Sequence, residues 1–180
     1  FGAMAMAGCA ASSTVSGFIY ATMDSFSKTV LTFTGQHYGA KLYHRLKQIL
    51  KISLLYVIIG GLLIGWLAII FRRTLLGLFV STDEALYYGS IHLVTLGSTY
   101  FLCGIMNVMD GVIRGLGYSM LPTLITLVGI CGFRVFWIST VFPRYHSPVV
   151  LLSVFPGSWV VILIIYAATY RYFLKNKVHP

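Results

Sequence analysis

Five stretches of this chain are apolar over lengths that a bilayer demands, and short polar breaks separate them. A hydrocarbon core about 30 Å thick takes roughly 20 apolar residues per helical span. Inside it every backbone N–H and C=O must be satisfied within the protein, so unalternating apolar runs of this length are helices. The runs place spans at about residues 3–34, 49–71, 85–110, 120–142 and 149–173. Charged residues are only 9% of the chain and hydrophobic ones 58%, where a soluble domain has about a quarter charged. The sequence therefore predicts an all-α polytopic membrane protein with five transmembrane helices. Its 180 residues leave no room for a separate soluble domain.

The formal net charge is +9. In a soluble chain that excess would point to nucleic acid. Here the cations lie mostly between and after the apolar runs, so they read as flanks facing lipid headgroups, with no nucleic-acid partner. Five spans put Lys41, Arg45, Lys47, Lys51, Arg114, Arg171, Lys175 and Lys177 on one side, and Arg72, Arg73 and Arg144 on the other. The positive-inside rule then makes the first side, and the C-terminus, cytoplasmic. The segment Gly35–Gln48 reads as a short basic amphipathic helix at the headgroup surface.

Cys9, Cys103 and Cys131 lie inside apolar runs without C-x-x-C spacing, and His37, His44, His92, His146 and His179 form no close pair. This pattern predicts no metal site and no cofactor. Intramembrane proteases and transferases need paired Glu/His, paired Asp or Ser–His sets. The single Glu here, Glu84, falls in a loop, so the chain reads as a non-enzyme. It opens FGAMAMAG, without an initiator Met or a charged n-region. That opening is expected of a piece of a longer protein.

Charge within the spans is sparse and therefore informative, because it must be paired, wetted or useful. Asp24 and Lys28 stand four residues apart on one helix face, as do Asp110 and Arg114. Arg134 stands near mid-span and is expected to balance Asp24 or Asp110, or to meet backbone carbonyls near a kink at Pro156-Gly157. Small residues crowd the first span (Gly8, Ala10, Ala11, Ser12, Ser13, Ser16, Gly17), which predicts close packing inside a bundle. Tyr20, Met23, Tyr100, Phe101, Met106, Asn107 and Trp137 are candidates to line a cavity, since aromatic faces attract organic cations and Met adapts to varied shapes.

Two motifs carry a family resemblance. SFSKTVLTFTGQHYGAKLYHR ends an apolar helix in a G-Q-x-x-G-A turn with a trailing base: Gly35, Gln36, Gly39, Ala40, Arg45. GVIRGLGYSMLP is an R-G-x-G turn with a following proline: Arg114, Gly115, Gly117, Pro122. With GICGFRVFW around Arg134, the whole chain resembles the C-terminal half of a MATE (multidrug and toxic compound extrusion) transporter. The resemblance implies the last five of twelve helices, the lobe lacking its first. It implies export of organic, often cationic, compounds in exchange for H⁺ or Na⁺ by alternating access against an N-terminal lobe, in the plasma membrane.

Within that frame Asp24, Lys28 and Asp110 are candidates for ion or proton coupling. Arg114, Arg134, Gly35, Gln36, Gly39, Gly117 and Pro122 are candidates for structural pairs and turns. The sequence departs from the family where coupling matters. Cys103 stands where some sodium-coupled members carry an acid, and an acid expected near Ser16 is displaced to Asp24. Two other readings are a lipid-linked oligosaccharide flippase of the same superfamily and a structural membrane subunit.

Overall fold

The computed structural model describes residues 2–141, 143–144 and 148–177. Phe1, His146, His179 and the expected end of the fourth span at 142 lie outside the described residues. The described residues form these helices: α1 (Gly2–Gly39), α2 (Tyr43–Ile70), α3 (Arg72–Gly77), α4 (Asp83–Gly97), α5 (Tyr100–Gly115), α6 (Met120–Thr126), a π-helical stretch (Leu127–Gly132), α7 (Phe133–Thr140), α8 (Pro148–Leu152) and α9 (Val154–Lys177). Among the described residues four helical segments, Gly2–Gly39, Tyr43–Ile70, Met120–Thr140 and Val149–Phe173, are long and apolar enough to cross a membrane. The α4–α5 pair, bent by 48°, makes a fifth crossing if taken as one span.

α1 is the centre of the bundle and packs against α2, α4 and α5, while α5 packs in turn on α2 and α9. The small residues make this possible. Ala5, Gly8, Ala11, Ser12, Val15, Ser16, Ile19 and Met23 are buried at three- and four-residue intervals along α1. At Gly8 an added Cβ would run into the Ala85 carbonyl, and at Gly65 on α2 into the Gly97 carbonyl, so both crossings are backbone against backbone. The opposite face of α2 turns Ile52, Leu55, Tyr56, Ile59, Leu63 and Trp66 outward, as a lipid-facing helix does. The core runs through Met23, Val57, Val108, Ile113, Ile162 and Tyr166.

Several expectations are corrected in detail. The third span, expected as one helix, is broken at Ser98–Thr99. Ser98 Oγ donates to the Thr95 carbonyl at 3.2 Å, and Thr99 Oγ1 donates to the carbonyls of Thr95 (3.0 Å) and Leu96 (3.2 Å). Hydroxyls that bond back to the preceding turn bend helices in this way. The break at Pro156 falls earlier than its ring. Lacking an N–H, Pro156 leaves the Leu152 carbonyl without its helical donor, and the chain steps from α8 to α9 at Ser153. The fourth span is not regular either, because its middle third widens into the π-helical stretch.

The first turn is also shifted. Gly35, Gln36 and Gly39 are still helical, and no separate amphipathic helix forms, because α2 starts at Tyr43. The turn closes at Lys41 instead. Leu42 N–H donates to the His37 carbonyl at 2.9 Å and Lys41 N–H to the Tyr38 carbonyl at 3.0 Å. This is a Schellman closure with Lys41 at φ 58°, where glycine is the usual occupant. Lys41→Gly removes the left-handed strain but loosens the unfolded chain. The difference predicts a net stabilisation of roughly 0.5 kcal/mol, read by thermal melting in detergent. At the second turn Gly117 is left-handed at φ 93° and Pro122 lies in the first turn of α6.

Candidate functional site

The bends open a cleft of about 900 Å³ between α1, α4, α5, the α6–α7 span and α9. Both carboxylates of the spans reach it, in different states. Asp24 Oδ2 lies 2.8 Å from Lys28 Nζ on the same face of α1. Their side chains are 36% and 76% exposed, so the pair is wetted and loosely held. Asp110 is fixed. Arg114 Nε donates to Oδ2 at 2.6 Å, and Tyr166 Oη donates to Oδ1 at 3.0 Å from α9. Tyr166 also shares a 2.8 Å hydrogen bond with Thr126 Oγ1, and Arg114 Nη2 donates to Thr123 Oγ1 at 3.3 Å. The Asp110 side chain is only 20% exposed. What the sequence offers as a pair on one helix is a network tying α5, α6 and α9 together.

Arg134 corrects its expectation. It reaches neither Asp24 nor Asp110, since each already has its own cation one turn away. Its guanidinium lies over the Phe155 ring, 4.4 Å from the centroid, and its Nε is enclosed without an acceptor among the described residues. The π-helical stretch sets it there. A π-turn adds one residue to the helix and so rotates all that follows by about 100°.

The aromatic and Met candidates divide. Tyr20, Tyr100, Met106 and Asn107 line the cleft. Tyr100 Oη donates to the Ser16 carbonyl at 3.3 Å, and Asn107 Nδ2 leans on Cys103 Sγ at 3.9 Å. Met23 is fully buried behind the wall, because Gly104 leaves its sulfur room. Phe101 packs at Gly61 on α2. Trp137 turns away and donates Nε1–H to the Val150 carbonyl at 3.1 Å. Gly35 sits where α1 passes the Gly115 carbonyl, while Gln36 and Gly39 are exposed near the first turn.

Among the cleft residues that sequence reasoning missed, three have partners far along the chain. His92 Nδ1 shares a buried 2.7 Å hydrogen bond with Ser12 Oγ, and its ring meets Phe155 edge-on. Trp159 stacks obliquely on Tyr100 at 5.8 Å. Tyr166 anchors Asp110. Each of these partners is distant along the chain, so no local spacing could have found them.

The geometry has counterparts among known proteins. A curated relative, the probable multidrug resistance protein YoeA of Bacillus subtilis (strain 168), is 29% identical over 98% of this chain, which covers 38% of that protein. A solved structure described as MATE in complex with MaD3S aligns with a TM-score of 0.83 over 99% of this chain and 39% of that one, at 19% identity. The chain thus spans about two fifths of the length of the relatives it matches, and the second likeness is one of fold. The MatE family model matches residues 1–138, well over half of the chain. Sequence match, membrane-length helices and fold agree, and the chain belongs to the MATE family of membrane transporters.

Proposed function

We propose that this chain is the C-terminal lobe, without its first helix, of a twelve-helix antiporter that exports organic cations in exchange for H⁺ or Na⁺. The lobe would work in the plasma membrane against an N-terminal lobe, with its C-terminus cytoplasmic. The observation that carries the reading is the cleft, whose wall combines aromatic faces (Tyr20, Tyr100, Trp159) with two carboxylates, one wetted beside an exposed ammonium and one bonded from two helices. An aromatic and carboxylate wall is what a planar organic cation binds.

In this reading Asp24 is the exchanging group. Among the described residues its only fixed partner is an exposed ammonium on a flexible stem, so a proton, Na⁺ or a cationic cargo displaces Lys28 without breaking any other contact there. Asp110, bonded from two helices, holds the lobe's shape through the cycle. Exchange follows because one carboxylate cannot serve the coupling ion and the cargo together, and the two conformations of the transporter differ in which one they favour.

Cys131 tests whether cargo occupies this cleft, since it is exposed on the wall. In full-length protein with Cys131 as its sole cysteine, ethidium at about ten times its Kd should slow maleimide labelling roughly tenfold, because only the empty fraction reacts. Labelling that is indifferent to saturating ethidium would place the cargo elsewhere.

A further inference from the structure

Five spans put Arg72, Arg73 and Arg144 on the side away from the first turn, and two of the three line one groove. Arg72 and Arg73 follow the apolar end of α2, where a second cavity of about 1010 Å³ opens against α4. His92 and Leu96 of α4 line the cleft, whereas Ile91, Val94 and Thr95 line this groove, so it lies on the other face of that helix. Tyr87 and Val94 are exposed, so the groove opens away from the bundle, toward lipid.

The groove is graded along α4. Asp83, Tyr87 and Ser90 stand near the start of the helix, and Ile91 and Val94 toward its bend. Ile69 of α2 and Val149 of α8 extend the apolar part. From Tyr87 to Thr95 the wall runs about 12 Å along the helix, most of the roughly 15 Å of hydrocarbon in one leaflet. Arg72 is half-buried, and its Nη1 donates to the Ile69 carbonyl at 3.2 Å, which fixes the guanidinium at the end of α2. Among the described residues neither arginine forms an ion pair, even with Asp83 on the same wall. Two guanidiniums against one carboxylate leave that wall one positive charge in excess. The charge bias that orients the chain lies on the other side, so it gives these two cations no role.

We propose that this groove binds an anionic phospholipid, with its phosphate diester on Arg72 and Arg73 and the upper part of an acyl chain on Ile69, Ile91 and Val94. Basic pockets between membrane helices hold anionic headgroups, and the guanidinium fork takes phosphate oxygens two at a time. A single negative headgroup cancels the excess charge. Phosphatidylcholine carries its own cation and cancels nothing. The bound lipid would bridge α2 and α4 above the bend at Ser98–Thr99. None of this depends on what the cleft carries.

Phosphatidylglycerol with a diazirine in its acyl chain tests the proposal on full-length protein in detergent. Photolysis should label α4 between Tyr87 and Thr95, as read by peptide mapping. Unlabelled phosphatidylglycerol should compete at about tenfold lower concentration than phosphatidylcholine or phosphatidylethanolamine. Inorganic phosphate should not compete, because it leaves the apolar wall empty. The double variant Arg72→Gln/Arg73→Gln should lose about tenfold of this labelling, while Arg144→Gln, on the same side but off the groove, should keep it. Melting of the double variant without added lipid should match wild type. The wild-type competition decides the question even if that variant does not fold.

Equal competition by the zwitterionic lipids would reduce the groove to ordinary lipid contact and overturn the proposal. Competition by inorganic phosphate overturns it in favour of a soluble anion. Labelling that is unchanged in the folded double variant overturns it equally. Absence of label from α4 in the wild type does so too, because protein would then cover the groove.

Discussion

Replacing Gly111 by valine is expected to cost this lobe its fold. At Gly111 a Cβ would lie 2.5 Å from the Ser27 carbonyl oxygen and 3.0 Å from Ser27 Oγ. The obstacle is backbone on both sides, so no side-chain rotation relieves it. α1 and α5 would have to part along the crossing that holds the bundle's centre and one wall of the cleft. Overpacking commonly costs 1–3 kcal/mol, and a backbone-limited case belongs at or above about 3 kcal/mol. Gly77 is the control, since nothing lies within 4 Å of its added Cβ. Thermal melting of the full-length protein in detergent should show Gly111→Val far below wild type and Gly77→Val close to it. Equal melting of all three would mean that the α1–α5 contact is not the bundle's keystone.

Asp24→Asn is expected to reduce ethidium efflux by full-length protein roughly tenfold or more, and to remove its dependence on the coupling ion. The size follows from losing one charge-assisted contact to the cargo, about 1.5–3 kcal/mol. The lost dependence follows from Asn being unable to exchange a proton or hold Na⁺ by charge. Asp110→Asn provides the contrast. It leaves Arg114 without its carboxylate and weakens the tie to Tyr166, so its expected effect is on stability, with the coupling-ion response of the remaining activity kept. If the two variants behave alike, mobility of the ion pair does not distinguish their roles.

Much of the architecture was legible because membrane physics leaves few choices. Length and hydropathy delimited the spans, and the small residues of α1 announced a packed helix. The R-G-x-G turn fell where Gly117 needs a left-handed backbone. What escaped were features decided by single hydrogen bonds. The bend at Ser98–Thr99 depends on hydroxyls choosing the preceding carbonyls over solvent, and apolar periodicity does not register that choice. The glycines of the first motif suggested a turn at Gly35, yet the helix continued to Gly39 and a lysine took the left-handed position.

The cleft was legible in part for a related reason. Asp24–Lys28 and Asp110–Arg114 are local pairs, and their four-residue spacing exposed them. Tyr166 and His92 matter only because α9 and α4 bring them to partners 56 and 80 residues away. Arg134 was visible as a charge, but its want of a hydrogen-bond acceptor among the described residues was not. Only the folded arrangement shows that both carboxylates are already engaged.

The claim on which the rest depends is that cargo and coupling ion compete for Asp24. Ethidium binding to the full-length protein, measured while pH and Na⁺ are varied separately, tests it most directly. Affinity in the wild type should fall as H⁺ or Na⁺ rises, and Asp24→Asn should bind weakly and indifferently to both. The same ion dependence in wild type and Asp24→Asn would contradict the account and place the exchange outside this lobe.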